Sequence, residues 1–217
     1  MNFDLSNIVA LAIPALFAIT LHEFAHGFVA SKFGDQTARM LGRLTLNPIK
    51  HIDPIGTIAV PLGLYLLSGG NFLFGWAKPV PVSGANLRNP ARNMRWVAAA
   101  GPFANLLMAF FWIFFAVISI KLSPDFSGSF LMKMASFGVI FNVSLMWLNL
   151  LPILPLDGGR IVQSLLPWRW AQQYAGFERY GMMILLVLLA SGGLSFILTP
   201  LIQTTQKYLG AIGSFFL

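Results

Sequence analysis

His22-Glu23-Phe24-Ala25-His26 sits inside an apolar stretch running from Ile8 to Val29, and that setting decides how the rest of the chain reads. On a helix, positions i and i+4 share a face, so the two imidazoles can meet one metal ion. Glu23 stands beside them, where it can take a proton from a water on that metal. The stretch is long enough to cross a bilayer, where charged side chains cost roughly 2.5–3.5 kcal/mol each on insertion scales. Two His and a Glu held together in such a segment need a compensating role, and metal binding supplies one.

The composition agrees. Only 10% of the 217 residues are charged, against about 25% in an ordinary soluble domain, and mean hydropathy is +0.74. A polytopic membrane protein follows. Twenty Phe and six Trp suit lipid-facing and interfacial positions. The absence of Cys removes disulfides and thiolate metal sites, leaving His and carboxylates as ligands. A net charge of +7 would suggest nucleic acid for a soluble chain. In a membrane chain it reports cytoplasmic loops, and no nucleic-acid partner is expected. The first apolar run carries the HExxH and is therefore read as retained, not as a cleaved leader. No repeat, low-complexity tract or long soluble linker interrupts the chain, so residues 1–217 read as a single membrane domain.

Four apolar runs, roughly 8–30, 96–120, 130–151 and 180–200, approach the ~20 residues that span a hydrocarbon core. The expected fold is an all-α membrane bundle of about four full spans. A fifth run, Ile55 to Leu67, is shorter, contains Pro61 and Gly63, and leads through Ser68-Gly69-Gly70-Asn71 to Phe72–Trp76. Its length suits a re-entrant segment. If 55–76 enters and returns on one side, loops 31–54, 77–95 and 152–179 share that side and hold eleven Lys and Arg, against Lys121, Lys133 and Lys207 elsewhere. That bias places the three loops, and the end of the HExxH helix, on the cytoplasmic face of the cell membrane. Alternating stretches at 43–46 and 78–82 admit a small sheet at the cytoplasmic mouth as readily as irregular loops.

A catalytic zinc-type site needs a third protein ligand and an open fourth position. Asp4, Asp35, Asp53, Asp125, Asp157 and Glu178 are the candidate carboxylates considered. Asp157 follows the run that ends near 151 and returns to the side of His26. Two prolines precede it and two glycines follow it, so a helix N-cap is an equally ready reading of the residue alone.

Three segments taken together, HEFAH, Ala100-Gly101-Pro102-Phe103-Ala104-Asn105, and Asn149-Leu150-Leu151-Pro152-Ile153-Leu154-Pro155-Leu156-Asp157-Gly158-Gly159-Arg160, resemble the site-2 protease family of intramembrane zinc metalloproteases. The last stretch matches the family's N-x-x-P-x-x-P-x-D-G-G pattern position for position. The resemblance runs from about residue 8 to 200 and is to the short branch that lacks PDZ or CBS domains. It implies Zn2+ held by His22, His26 and Asp157, with Glu23 as general acid and base. It also implies that Asn149 faces the catalytic centre as an oxyanion donor, and that transmembrane proteins or peptides are the substrates. Asn105 reads as a packing residue beside the small run Ala98–Gly101. His51, the third His, is a candidate site or substrate contact near the re-entrant segment. Gly and Pro around 54–63 and 75–81 suit an extended edge for a substrate strand. An ion transporter using intramembrane His and Asp, or a non-catalytic metal-binding scaffold, are the rival classes. Oligomeric state is not legible.

Overall fold

The computed structural model describes residues 5–67, 75–122 and 130–217. Among them every regular element is helical: α1 (Leu5–Lys32), α2 (Thr37–Met40), α3 (Val60–Leu67), α4 (Pro90–Leu122), α5 (Phe130–Asn149), α6 (Asp157–Leu165), α7 (Trp168–Ala175), α8 (Glu178–Ala190) and α9 (Gly193–Phe215). Short 3₁₀ turns at Pro48–His51 and Gly84–Asn86, and a π turn at Pro54–Ala59, join them.

Among the described residues, three helical segments are long and apolar enough to cross a membrane: Val9–Lys32 in α1, Pro90–Lys121 in α4, and Phe130–Asn149, which is α5. A fourth candidate exists only if α8 and α9 count as one span, and they are bent by 80°. The sequence reads 180–200 as one continuous run. The break falls at Ser191-Gly192-Gly193, where Gly192 takes a left-handed φ of +76° that ends α8. The stretch 152–179, read as a loop, contains α6 and α7.

α1, α4 and α5 pack on one another to form the centre of the molecule. Lipid tails are as apolar as leucine, so close approach and dispersion, not water exclusion, hold such helices together. The small residues that permit it are buried: Ala10 and Ala18 on α1, Ala109 on α4, Ala135 on α5. Gly138 of α5 has the same role, since a Cβ there would lie 2.5 Å from the buried Trp112 ring of α4. α9 closes the bundle against α5, with Trp147 Nε1 donating to Thr205 Oγ1 at 2.9 Å. Phe17, Phe103, Phe111 and Ile118 are exposed on the outside of these helices, as a lipid-facing surface requires.

Segments 33–59 and 75–89, between α1 and α4, form a hydrogen-bonded cap over one end of the bundle. Asp35 is fully buried and accepts from Thr37 N–H at 3.0 Å, the Thr37 hydroxyl, Ser83 N–H at 2.6 Å and the Asn86 amide at 3.3 Å. Burial opposes its ionised form, yet these donors hold the carboxyl below its ordinary value. The loop after α1 is thereby pinned to the loop before α4. A second junction joins Trp76 N–H to Gly56 O at 3.0 Å and the Thr57 hydroxyl to Trp76 O at 2.8 Å. A Cβ on Gly56 would collide with the Trp76 indole. The chain at 56 and the chain at 76 therefore lie side by side. Residues 68–74, where the sequence leads one to expect the turn back, lie outside the described residues.

No strand forms among the described residues, so the sheet admitted for 43–46 and 78–82 is not seen. The reason is chemical. Pro79 and Pro81 have no N–H, Lys78 N–H is given to His51 O at 3.0 Å, and Val80 N–H to a side chain. Residues 78–81 thus keep no free N–H for a strand partner within the cap. Arg43 replaces the ladder, donating to the carbonyls of Lys50, Lys78 (2.9 Å) and Pro79 (3.2 Å).

Candidate metal centre

His22 and His26 lie one turn apart on the face of α1 that meets α4. Asp157 is the first residue of α6, delivered to them by the turn that follows α5. The two glycines after it explain how. A Cβ on Gly158 would run into the Leu150 and Leu151 backbone, and one on Gly159 would lie 2.5 Å from Leu154 N. Only glycines let the start of α6 nest against residues 150–154. Gly181 extends the same logic to α8, since a Cβ there would overlap the Leu154 carbonyl.

The three side chains converge. His22 Nε2 and His26 Nε2 are 3.0 Å apart, and Asp157 Oδ2 stands 3.3 Å from the first and 3.2 Å from the second. Among the described residues these three form the only His/Cys/Asp/Glu group close enough to share an ion. Their side chains are 8, 11 and 12% exposed, so little water is available to separate them. His26 Nδ1 is 2.7 Å from Val97 O. A carbonyl only accepts, so that nitrogen carries the proton, and the Nε2 of the neutral ring presents a lone pair. Asp157 Oδ2 is buried and makes no hydrogen bond. Lone pairs converging this closely repel unless a cation or proton stands among them.

The spacing matches a tetrahedral zinc. Ligands about 2.0–2.1 Å from the metal, at the tetrahedral angle, stand about 3.3 Å from one another. Two imidazoles and one carboxylate form a catalytic donor set of the three-plus-open kind. The residues present fit the ion.

Gly101 of α4 faces the site. A Cβ on it would lie 2.6 Å from His22 Cε1 and closer still to His26 Nε2. His22 Nδ1 lies 2.6 Å from Asn105 Oδ1, one turn further along α4. The sequence reading gives both residues to packing. A signal was present, because an Asn deep in an apolar helix needs a polar partner.

Glu23 is not among the converging ligands. Its Oε2 accepts from Val80 N–H at 2.7 Å, in the cap segment between two prolines. Asn149 ends α5, and its Nδ2 donates to Leu145 O at 3.0 Å within its own helix. His51 is almost fully buried, 2.9 Å from Thr45 O through Nε2, and stands apart from the three ligands. Its backbone carbonyl accepts from Lys78 N–H at 3.0 Å, which ties it to the cap.

Comparison with known proteins adds a separate line of evidence. The profile described as peptidase family M50 matches residues 117–192, which include Asn149 and Asp157. YwhC of Bacillus subtilis, a candidate zinc metalloprotease by its name, is 39% identical over 206 residues, covering 94% of this chain and 90% of that protein. The chain belongs to peptidase family M50, the site-2 protease family. This M50 chain is also similar to Rip2 of Mycolicibacterium smegmatis, 32% identical over 83% of the chain and 66% of that protein. Rip2 of Mycobacterium tuberculosis is 31% identical over 80% of the chain and 63% of that protein. Both Rip2 proteins carry the same descriptive name, and neither is fully spanned. No solved structure matches.

Proposed function

We infer that this M50 peptidase is an intramembrane zinc metalloendopeptidase in which His22, His26 and Asp157 hold the metal and Glu23 moves the proton. The observation that carries the reading is the meeting of three donor atoms within 3.3 Å at the end of an apolar helix. When bound, zinc supplies a Lewis acid and lowers the pKa of a water at its open position. Glu23 accepts a proton from the attacking water and returns it to the leaving amine. Val80 N–H holds one oxygen of that carboxylate, leaving the other for the proton. Asn149 donates to the developing oxyanion. Its amide carries two hydrogens, and the bond to Leu145 O uses one. The low exposure of the ligands keeps bulk water from the site.

The substrates are peptide bonds in or near transmembrane segments of membrane proteins, within one catalytic domain. The protein is multi-pass in the cell membrane, with the site toward the cytoplasm. Segment 55–76 is re-entrant. The Trp76–Gly56 junction supports this, because a spanning segment would carry its ends about 30 Å apart. His51 acts through the cap and not on the metal.

Metal analysis tests the ligand set directly. Wild type should carry one zinc per chain, and His22→Ala and Asp157→Ala should lose it. Zinc unchanged in both variants would overturn the assignment. Cleavage of a fluorogenic transmembrane peptide by the zinc-loaded protein then separates a protease from a transporter or a silent scaffold.

A further inference from the structure

Behind His22 lies a line of amides with no part in the chemistry. Asn105 of α4 and Asn142 of α5 are both fully buried in the apolar bundle. Asn142 Nδ2 donates to Gly138 O at 2.8 Å, Asn105 Nδ2 donates to Asn142 Oδ1 at 3.1 Å, and Asn105 Oδ1 meets His22 Nδ1 at 2.6 Å. A simple polar contact would hold α4 to α5 with the amides facing either way. This line cannot be reversed. Gly138 O is a backbone carbonyl and only accepts, so Asn142 must present its nitrogen there and its oxygen to Asn105. Asn105 must then present nitrogen to Asn142. Ala18 O, a second backbone acceptor 3.3 Å from Asn105 Nδ2, enforces the same orientation from α1. The oxygen of Asn105 is left facing His22, and the imidazole must carry its proton on Nδ1.

We propose that the Gly138–Asn142–Asn105 line is a positioning relay that fixes the tautomer of His22 and so sets the zinc affinity of the site from a helix, α5, whose Asn142 lies one amide removed from His22. The inference rests on His22 being a zinc ligand. With Nδ1 protonated, the lone pair of His22 is on Nε2, the atom that meets His26 and Asp157. His26 obtains the same tautomer from Val97 O. The two rings differ in one respect. Helix α4 supplies a backbone carbonyl to one, and a side-chain amide, itself held by α1 and α5, to the other. Asn142 is a positioning residue: it touches neither ring nor metal.

The test measures zinc dissociation constants by chelator competition on the full-length protein in detergent. The variants are His22→Ala, Asn105→Ala, Asn142→Leu and the Asn105→Ala/Asn142→Leu double. Thr205→Val, which removes the Trp147–Thr205 bond between α5 and α9, controls for loosening of the bundle. Asn105→Ala should weaken zinc binding by about 10–100-fold, the scale seen when an outer partner of a ligand is lost. Asn142→Leu should weaken it by about 10-fold, and the double variant no more than Asn105→Ala alone, because Asn142 acts only through Asn105. Thr205→Val should bind as wild type. With only three His in the chain, ¹⁵N-histidine spectra read the second consequence. The His22 Nδ1–H signal should be present in wild type and Thr205→Val and lost or broadened in Asn142→Leu. Asn142→Ala serves if the leucine does not fold. Additive losses in the double variant, or wild-type affinity in Asn142→Leu and Asn142→Ala, would overturn the relay. Wild-type affinity in His22→Ala would instead overturn the ligand assignment beneath it.

Discussion

Glu23 shows how much a single position can be asked to do in a bilayer. It neighbours both imidazoles in sequence, yet its carboxylate is held by the backbone of the cap and not by the ligand cluster. Glu23→Gln keeps the shape and can still accept from Val80 N–H, but it cannot take a proton. Turnover should fall to background while zinc content and thermal stability remain near wild type. Residual turnover of even a few per cent in metal-loaded protein would place the base elsewhere. Gly101 makes the opposite kind of demand, for empty space. Gly101→Ala adds one methyl beside His22 and His26, and α4 cannot back away without unpacking from α1. Zinc occupancy should drop below stoichiometric and turnover by at least about 10²-fold, the scale of a small misplacement at a reacting centre. Normal zinc content in Gly101→Ala would mean the helices separate more easily than their packing indicates. The HExxH residues were legible because i and i+4 fall together on any helix. Gly101 and Val97 were not, and Asn105 only as a polar group in need of a partner, since their roles depend on the register of α4 against α1, more than 70 residues away in the chain.

At the scale of elements, the long helices could be read from run length and the cap could not. Apolar runs long enough to span report α1, α4 and α5 because a membrane demands length and hydrophobicity, which are properties of sequence alone. The break at Ser191–Gly193 was signalled by its glycines but hidden by the apolar residues on both sides. The cap has no periodic signature. Its segments are joined by side chains to backbone, through Arg43, Asp35 and Thr57. Arg43 bridges three carbonyls around residues 50 and 78–79, so Arg43→Ala should let Val80 drift from Glu23 and lower turnover by about 10–10²-fold with zinc retained. Arg43→Lys should not restore it, because an ammonium lacks the planar fork that reaches several carbonyls at once. Recovery by lysine would reduce Arg43 to a generic positive charge. Asp35 supplies the cap's pH dependence. Its carboxyl is held below the ordinary value, so its contribution is present above about pH 4, the unfolded range, and fades as pH falls through the lower folded value. Asp35→Asn should cost about 1–3 kcal/mol at pH 7, because an amide turns a donor toward donors. Thermal melts in detergent should show the gap from wild type closing as pH falls below the ordinary carboxylate range. A gap that does not change with pH would mean the ionised form is not what the cap holds.

For the whole molecule, the open issue is where the membrane lies relative to the cap, and the hydrogen bonds constrain the answer. Ser83 N–H on Asp35 and Trp76 N–H on Gly56 place the loop after α1, the entry to 56–67 and the loop before α4 at one end of the bundle. α4 then runs away from that end for 33 residues, about 50 Å at 1.5 Å per residue, which is more than the ~30 Å hydrocarbon core requires. Lys121 near its far end should therefore emerge on the opposite face. The chain contains no Cys, so single cysteines can be placed without background labelling. Met40, Ala85 and Lys121 are all exposed, and none touches the ligand cluster. In oriented vesicles, an impermeant thiol reagent should label Met40→Cys and Ala85→Cys from the same face, and Lys121→Cys from the other. In the proposed topology that face is the cytoplasmic one, the side to which the eleven-to-three bias of basic residues points. Labelling of Met40→Cys and Ala85→Cys from opposite faces would require 56–76 to cross the bilayer. That would place the Asp35–Ser83 bond across some 30 Å of lipid, which a contact of 2.6 Å does not allow. The folded cap and a spanning 56–76 segment therefore cannot both exist, and the labelling pattern decides between them.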